Sequence, residues 1–460
     1  MNQNKNIVII GCGAAGGTAA QLARKTDRKS SITVFEKGKY PQYSKCSLPY
    51  VLSGTISKIN DLIEFSEEWF KKVDIDLLLE TKVEKIDIDK QIVLAKKGNI
   101  EIEKSFDSVI ICTGAKPFFP PIKNLEEDGR LVDGIYAVRT IDDIEKISSF
   151  LKKGGNATIV GAGLIGLEMA DNLHKKGMNV TVVEMLPQVL ANTLDEDMSK
   201  IVHDEILKNV KLITNHFATK IESKHGKINK VLIKNNETSK EQYIDTDLLI
   251  IAAGCKPDVL LAKNIGCKIG KTGGIIVNER SETSVKNIYA VGDCTEYLDF
   301  ITKKPIPIGL GSIAVRQGIA AGINASGGDY ILPKGVLQTR TSKFFDLEIA
   351  AVGPAIDLLK DISVVSAKFN GSSLPEYFPG GKPIYIKIAV DQKSGLILSA
   401  QAVGDNAAQR INTFACAILG GVDVETFRRL ETAYAPSIAP TLDAVTLVCD
   451  IVSMKLNRKR

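Results

Sequence analysis

The stretch Ile7-Val8-Ile9-Ile10-Gly11-Cys12-Gly13-Ala14-Ala15-Gly16 decides the fold. Four apolar residues read as a buried strand that runs straight into a glycine loop of the form G-x-G-x-x-G, and Gly17 to Lys25 continues as a helix. Glycines there permit a tight turn and let the backbone approach a pyrophosphate, which accepts hydrogen bonds at the positive end of the helix that follows. A second strand, Ser31-Ile32-Thr33-Val34-Phe35, ends at Glu36, whose carboxylate can accept the hydroxyls of a ribose. Strand, glycines, helix, strand and acid in that order predict a dinucleotide-binding unit, which the glycines alone would not.

The same arrangement recurs further along the chain. Ala157-Thr158-Ile159-Val160 leads into Gly161-Ala162-Gly163-Leu164-Ile165-Gly166, a helix follows through Leu173, and Val180-Thr181-Val182-Val183 ends at Glu184. One chain therefore carries two dinucleotide sites. Between them, Phe65 to Val73 reads as a helix, and Leu77 to Lys85 with Gln91 to Ile102 reads as a small antiparallel insertion. Ser108 to Cys112 is a buried strand that ends in a Thr113-Gly114 turn. A parallel strand in Leu248 to Pro257 closes the second unit, and Asn287 to Asp293 returns to the first, with Asp293 placed for a polar group on a ribityl chain. After Gly327-Gly328 the texture changes. Strands over 339–354, 362–370 and 383–401 precede helices near 406–419 and 424–430, the order expected of an α+β domain.

The expected fold class is α/β, with two Rossmann-like domains and a C-terminal α+β domain. The boundaries place residues 1–115 and 246–330 in the first domain, 116–245 in the second and 331–460 in the third. Composition agrees, since 460 residues allow three domains of about 150 residues each. Fifty-nine basic and 54 acidic residues leave a net charge of +5, thinly spread apart from the end at 455–460, which reads as a solvated tail, so no nucleic-acid site is expected. Residues 1–5 begin no secretory signal, and no run reaches the ~18 apolar residues of a membrane span, so no membrane partner is expected. The eight cysteines contain no C-x-x-C pair and no Cys/His metal spacing, which makes a cytoplasmic protein with reduced thiols and no metal the expectation.

One cysteine stands apart. In Tyr43-Ser44-Lys45-Cys46-Ser47-Leu48-Pro49-Tyr50, Pro49 suits a first helical turn, so Cys46 lies where a helix starts. Helix-terminal N–H groups and the ammonium of Lys45 both favour thiolate, the form that attacks disulfides. Cys12, Cys112, Cys255 and Cys294 follow turns or strands and read as packing residues.

These motifs resemble the pyridine nucleotide-disulfide oxidoreductases, from Ile7 to about Asp450. The resemblance implies that Gly11, Gly13, Gly16, Glu36, Lys37, Thr113, Gly114, Gly254, Gly292 and Asp293 belong to the sites that hold cofactor, with FAD in the first unit. Gly161, Gly163, Gly166 and Glu184 would hold the nicotinamide cofactor, and Glu168 would lie beside its ring. A carboxylate at Glu184 repels a 2′-phosphate, which favours NADH, with NADPH as the alternative.

The family's two-cysteine branch pairs cysteines as C-x-x-x-x-C and has a C-terminal histidine. Here the position five after Cys46 is Val51, and His174, His203, His216 and His225 all lie in or near the second unit. The chain resembles the single-cysteine branch of coenzyme A-disulfide reductases, NADH oxidases, NADH peroxidases and persulfide reductases. Ala14 stands where the peroxidases and water-forming oxidases have a histidine, which removes a proton donor to peroxide oxygen. Arg24 and Lys25 match basic residues that contact coenzyme A phosphates. Tyr434 in Thr432-Ala433-Tyr434-Ala435-Pro436, and Tyr377 in Glu376-Tyr377-Phe378-Pro379-Gly380, match tyrosines that reach the thiol site across a homodimer. Gln42 to Lys45 depart from the Ser-Phe-x-x-Cys that surrounds the thiol of coenzyme A-disulfide reductases.

The resemblance thus implies electrons passing from NADH through FAD to Cys46 and on to a small disulfide or persulfide, with Tyr434 of the partner serving the leaving thiolate. An NADH oxidase delivering to oxygen, and a redox-sensing flavoprotein scaffold, are the alternatives.

Overall fold

The computed structural model describes residues 5–459. The expected absence of a signal at the first four residues, and the last residue of the basic end, lie outside that range. The chain forms two compact units, the first built from the chain up to Phe118 with Arg139–Ile141 and Gly254–Val336, the second from Phe119–Val138, Asp142–Ala253 and Leu337 onward.

In the first unit a five-stranded parallel sheet runs Ile288–Ala290, Ser108–Ile111, Asn6–Ile10, Ser31–Phe35, Asp76–Leu78. Its central strand is buried on both faces, and successive residues serve opposite cores as the strand period requires. Val8 and Ile10 join Val83, Ile86, Val93 and Ala95 of the antiparallel insertion, while Ile7 and Ile9 join Ala15, Ala19 and Ala23 of the fingerprint helix and Ala314 and Ala321 of a second helix. The insertion has three strands, Lys82–Asp87, Ile92–Lys97 and Ile100–Ser105. The two helices, Ala14–Thr26 and Gly311–Ala325, run side by side at backbone contact: a Cβ on Gly318 would lie 2.5 Å from the Ala15 carbonyl oxygen, and one on Gly322 2.4 Å from that of Ala19. Small residues four apart on both helices make that approach possible.

In the second unit the parallel sheet runs Ile135–Tyr136, Leu248–Ile251, Asn156–Val160, Asn179–Val183, Lys211–Ile213. Leu248–Ile251 hydrogen-bonds to the strand Asn156–Val160, so a domain boundary at 246 is too early. The chain crosses back at Gly254, and Cys255–Pro257 pairs with Ala115–Pro117 in the first unit.

The C-terminal sheet is antiparallel and five-stranded, in the order Arg340–Phe344, Leu347–Val352, Ile397–Gly404, Pro383–Asp391, Val364–Ser372. Its central strand, Ile397–Gly404, is buried throughout. Helices Ala407–Leu419 and Ala444–Lys459 accompany it. The second helix extends into the basic end: Lys455, Asn457 and Arg458 are exposed, as a solvated end requires, but they lie on a helix that Val445, Val448, Cys449, Val452 and Leu456 anchor through a buried stripe at helical spacing. Lys387 ties this domain to the helix Glu196–Ile206, at 2.9 Å from Asp195 and 2.6 Å from Asp197, and the Asp195 N–H donates to Gln401 Oε1 at 2.8 Å. Among the described residues no helix is long and apolar enough to cross a membrane.

Candidate active site

Both glycine loops are built to the same pattern. Gly11 and Gly161 have φ of +106° and +109°, conformations that disfavour a side chain, and Gly16 and Gly166 sit so close to them that a Cβ would fall 1.9 Å and 2.0 Å from their carbonyl oxygens. At the middle glycines the backbone lies open: a Cβ on Gly163 meets nothing within 4 Å, and one on Gly13 meets only the Lys45 side chain, from 3.8 Å. The acids are held alike. Glu36 accepts from the N–H groups of Cys12 and Gly38 at 2.8 and 2.7 Å, and Glu184 from those of Ala162 and Leu186 at 2.6 and 2.9 Å. Each carboxylate is thereby fixed beside its loop with lone pairs to spare for a ribose. The open backbone and the anchored acid fit a dinucleotide diphosphate and ribose at both loops.

Around the first loop the structure gathers residues distant in sequence. Thr113 Oγ1 donates to the Asp258 carbonyl at 2.6 Å, and Gly114 adopts φ +69°. Arg139 forms a 2.6 Å ion pair with Asp293 and lies 3.5 Å from a Cβ placed on Gly114. Gln317, buried, accepts from the Gly292 N–H at 2.8 Å through Oε1 and so fixes the turn that presents Asp293. Sequence reasoning left Arg139 unnoticed and Gln317 without a role. Gly254, at φ +100°, accepts from the Phe118 N–H at 2.9 Å, and Lys37 is exposed beside Glu36.

Cys46 lies in the 3-10 turn Lys45–Ser47, ahead of the six-residue helix Leu48–Ser53, so it precedes the helix rather than opening it. The Ser44 and Ser47 hydroxyls bond at 2.9 Å across the turn, and the Ser44 N–H donates to Leu62 at 2.9 Å. Cys46 is exposed and makes no disulfide; its Sγ is 3.8 Å from a Cβ placed on Gly311, the first residue of the helix Gly311–Ala325. Lys45 points to Gly13 instead.

The other thiols nearby differ. Burial raises the pKa values of Cys12 and Cys112, and pushes Cys294 up to about 11, which keeps all three neutral and inert. Cys255 is exposed rather than packed, with its thiol raised chiefly by desolvation.

In the second unit Glu168 projects from the helix Leu164–Lys175 and accepts from Ser342 Oγ at 2.5 Å. Burial raises its pKa, and the Ser342 hydrogen bond only partly opposes this. A raised carboxyl pKa means that the folded chain holds more protons than the unfolded one in the window above the ordinary value of 4.5, so Glu168 costs stability as pH rises through it. Glu168→Gln is therefore expected to raise the melting temperature at pH 7 and to lose that advantage near pH 4, as calorimetry at the two pH values would show.

Tyr377 and Tyr434, predicted from separate stretches, meet with their hydroxyls 3.0 Å apart, both exposed. Arg24 does not fit a phosphate-binding role. Its guanidinium donates to the carbonyls of Val73, Asp74, Arg28 and Ser30 at 2.5–3.1 Å and pairs with Asp74, so it clamps the end of the fingerprint helix to its neighbours. Lys25 beside it is exposed. Among the described residues no group of three or more His, Cys, Asp or Glu is placed to hold a metal ion.

Two dinucleotide-type loops, one in each unit, are the framework of a pyridine-nucleotide oxidoreductase. Residues 5–318 match the pyridine nucleotide-disulphide oxidoreductase family and residues 339–445 match that family's dimerisation domain. The chain belongs to this family and is an NAD(P)H-dependent oxidoreductase. It is 38% identical to an NADH oxidase of Methanocaldococcus jannaschii, over 98% of this chain and 99% of that one. It is 32% identical to an NAD(P)H coenzyme A polysulfide/persulfide reductase of Pyrococcus horikoshii, over 98% and 99%. The solved NAD-dependent persulfide reductase of A. fulgidus superposes with a TM-score of 0.92 at 34% identity, over 98% of this chain and 84% of that one.

Proposed function

We propose that this chain is an FAD-dependent NADH oxidoreductase in which Cys46 exchanges electrons with a small disulfide or persulfide of the coenzyme A type. The observation that carries the reading is the turn Lys45–Ser47, which presents an exposed thiol and, from the neighbouring residue, an ammonium against the first fingerprint loop. FAD, when bound, relays the electron pair from nicotinamide to sulfur. The anchored Glu36 and the Arg139–Asp293 pair orient the first dinucleotide, and Glu184 selects NADH by repelling a 2′-phosphate.

At Cys46 the chemistry is thiol–disulfide exchange. The thiolate attacks one sulfur of the incoming disulfide, a Cys46–S bond forms as the S–S bond breaks, and one thiolate leaves. Two electrons and a proton then cleave the mixed disulfide, releasing the second thiol and restoring the Cys46 thiolate. The dimerisation-domain match supports a homodimer, and the hydrogen-bonded Tyr377–Tyr434 pair is the proton source we assign to the leaving thiolate of the partner's site.

The NADH oxidase of M. jannaschii favours a second reading, in which the reduced protein delivers its electrons to oxygen. Ala14 weighs against it, since no imidazole stands in the loop to protonate peroxide. NADH consumption in air, compared with anaerobic consumption in the presence of coenzyme A disulfide or polysulfide, separates the two. Faster anaerobic turnover with the sulfur acceptor is expected; turnover that needs oxygen and ignores the disulfide would overturn the first reading.

A further inference from the structure

We infer that Lys45 is the cation that binds the FAD diphosphate at Gly13, and that through it cofactor binding positions the turn that carries Cys46. This rests on the FAD reading above and adds to it a residue to which the sequence had given another task, activating the thiol.

Lys45 Nζ lies 3.8 Å from a Cβ placed on Gly13, the middle glycine of the loop and the point where the backbone is most open. The Lys45 side chain makes no hydrogen bond or ion pair to protein among the described residues; Nζ lies 5.8 Å from the centroid of the Tyr43 ring. The charges that face it are Glu36, Asp293, Arg139 and Lys37. Neither carboxylate makes an ion pair with it. Glu36 is held on its own loop by the N–H groups of Cys12 and Gly38, and Asp293 pairs with Arg139.

Three cations against two carboxylates leave the cluster one positive charge in excess, and Lys45 brings it beside Gly13, the residue that caps the helix Ala14–Thr26. The side chain reaches solvent, yet protein surrounds it closely enough that desolvation and then Arg139 depress its pKa. An ammonium held in such a place without an anion is unfavourable, and a diphosphate seated on Gly13 supplies the anion. Because Lys45 and Cys46 share one 3-10 turn, the contact also fixes the backbone from which the thiol projects.

The test compares the flavin-loaded wild type with Lys45→Met and Lys45→Arg, following FAD release by fluorescence on dilution at low and high salt. Methionine keeps the length of the side chain and removes the charge. Loss of a charge-assisted hydrogen bond is expected to weaken FAD binding roughly 10- to 100-fold and to flatten its salt dependence, while arginine restores most of both. Unchanged FAD affinity in Lys45→Met overturns the inference. So does weaker binding with the wild-type salt dependence and no rescue by arginine, the pattern of a merely damaged turn. A wild-type protein that carries no flavin would instead overturn the FAD reading on which the inference rests.

Discussion

Replacing Cys46 with serine is expected to lower NADH-dependent reduction of a small disulfide by at least about 10³-fold while leaving the first, flavin-reducing half of the cycle intact. A serine hydroxyl neither attacks a disulfide at neutral pH nor forms the mixed disulfide that the second electron pair must cleave. The turn itself should survive, because the Ser44–Ser47 hydroxyl bond and the Ser44–Leu62 backbone bond that shape it do not involve the sulfur. Stopped-flow absorbance would show the flavin bleaching with NADH at the wild-type rate and then stalling when disulfide is added. Cys255, the other exposed thiol of the first unit, serves as the control. Cys255→Ser should turn over normally, and if it were the variant that stalled, the reactive sulfur would have been misassigned.

Gly16→Ala is expected to yield a protein without bound flavin and with a lowered melting temperature. Two effects oppose each other at this position. Alanine is the better helix former by about 1 kcal/mol, and Gly16 lies in the helix Ala14–Thr26. The new Cβ, however, would sit 1.9 Å from the Gly11 carbonyl oxygen and 3.4 Å from Cys112 Cβ. The first neighbour is backbone of the loop and cannot swing aside, so the helix must retreat from the strand, at an overpacking cost of about 1–3 kcal/mol. Steric cost therefore exceeds propensity, and the retreat pulls the helix N–H groups away from the diphosphate. Flavin absorbance per protein and a thermal melt check both parts; a variant that kept its flavin and its melting temperature would show that the loop tolerates what its geometry forbids.

The fingerprint glycines and Glu36 and Glu184 were legible because they are local: each unit fits within about thirty residues, and the spacing alone brings the acid to the loop. The same holds for Pro49 and Gly54, which bound the short helix after Cys46. Partners joined across the chain were not legible. Arg139 and Asp293 are 154 positions apart, and Glu168 and Ser342 are 174 apart, so no local period links them.

Arg24 shows the opposite error. The family resemblance matched it to a phosphate contact, but four backbone carbonyls from chain segments on either side converge on it, which only the fold reveals. Lys45 was read from its neighbour in sequence, Cys46, whereas its side chain turns towards Gly13. The C-terminal helix was legible in part: the stripe from Val445 to Leu456 is present in the residues, although charge alone reads the basic end only as solvated.

The central claim is that Cys46 is a redox sulfur fed through the flavin, and counting electrons tests it most directly. The protein is first treated with a small disulfide, freed of excess, and titrated anaerobically with NADH while flavin absorbance is followed. The wild type should consume two equivalents of NADH per chain, one for the flavin and one for the mixed disulfide at Cys46, releasing one small thiol. Cys46→Ser should consume one and release none. An equal count for both proteins would contradict the assignment.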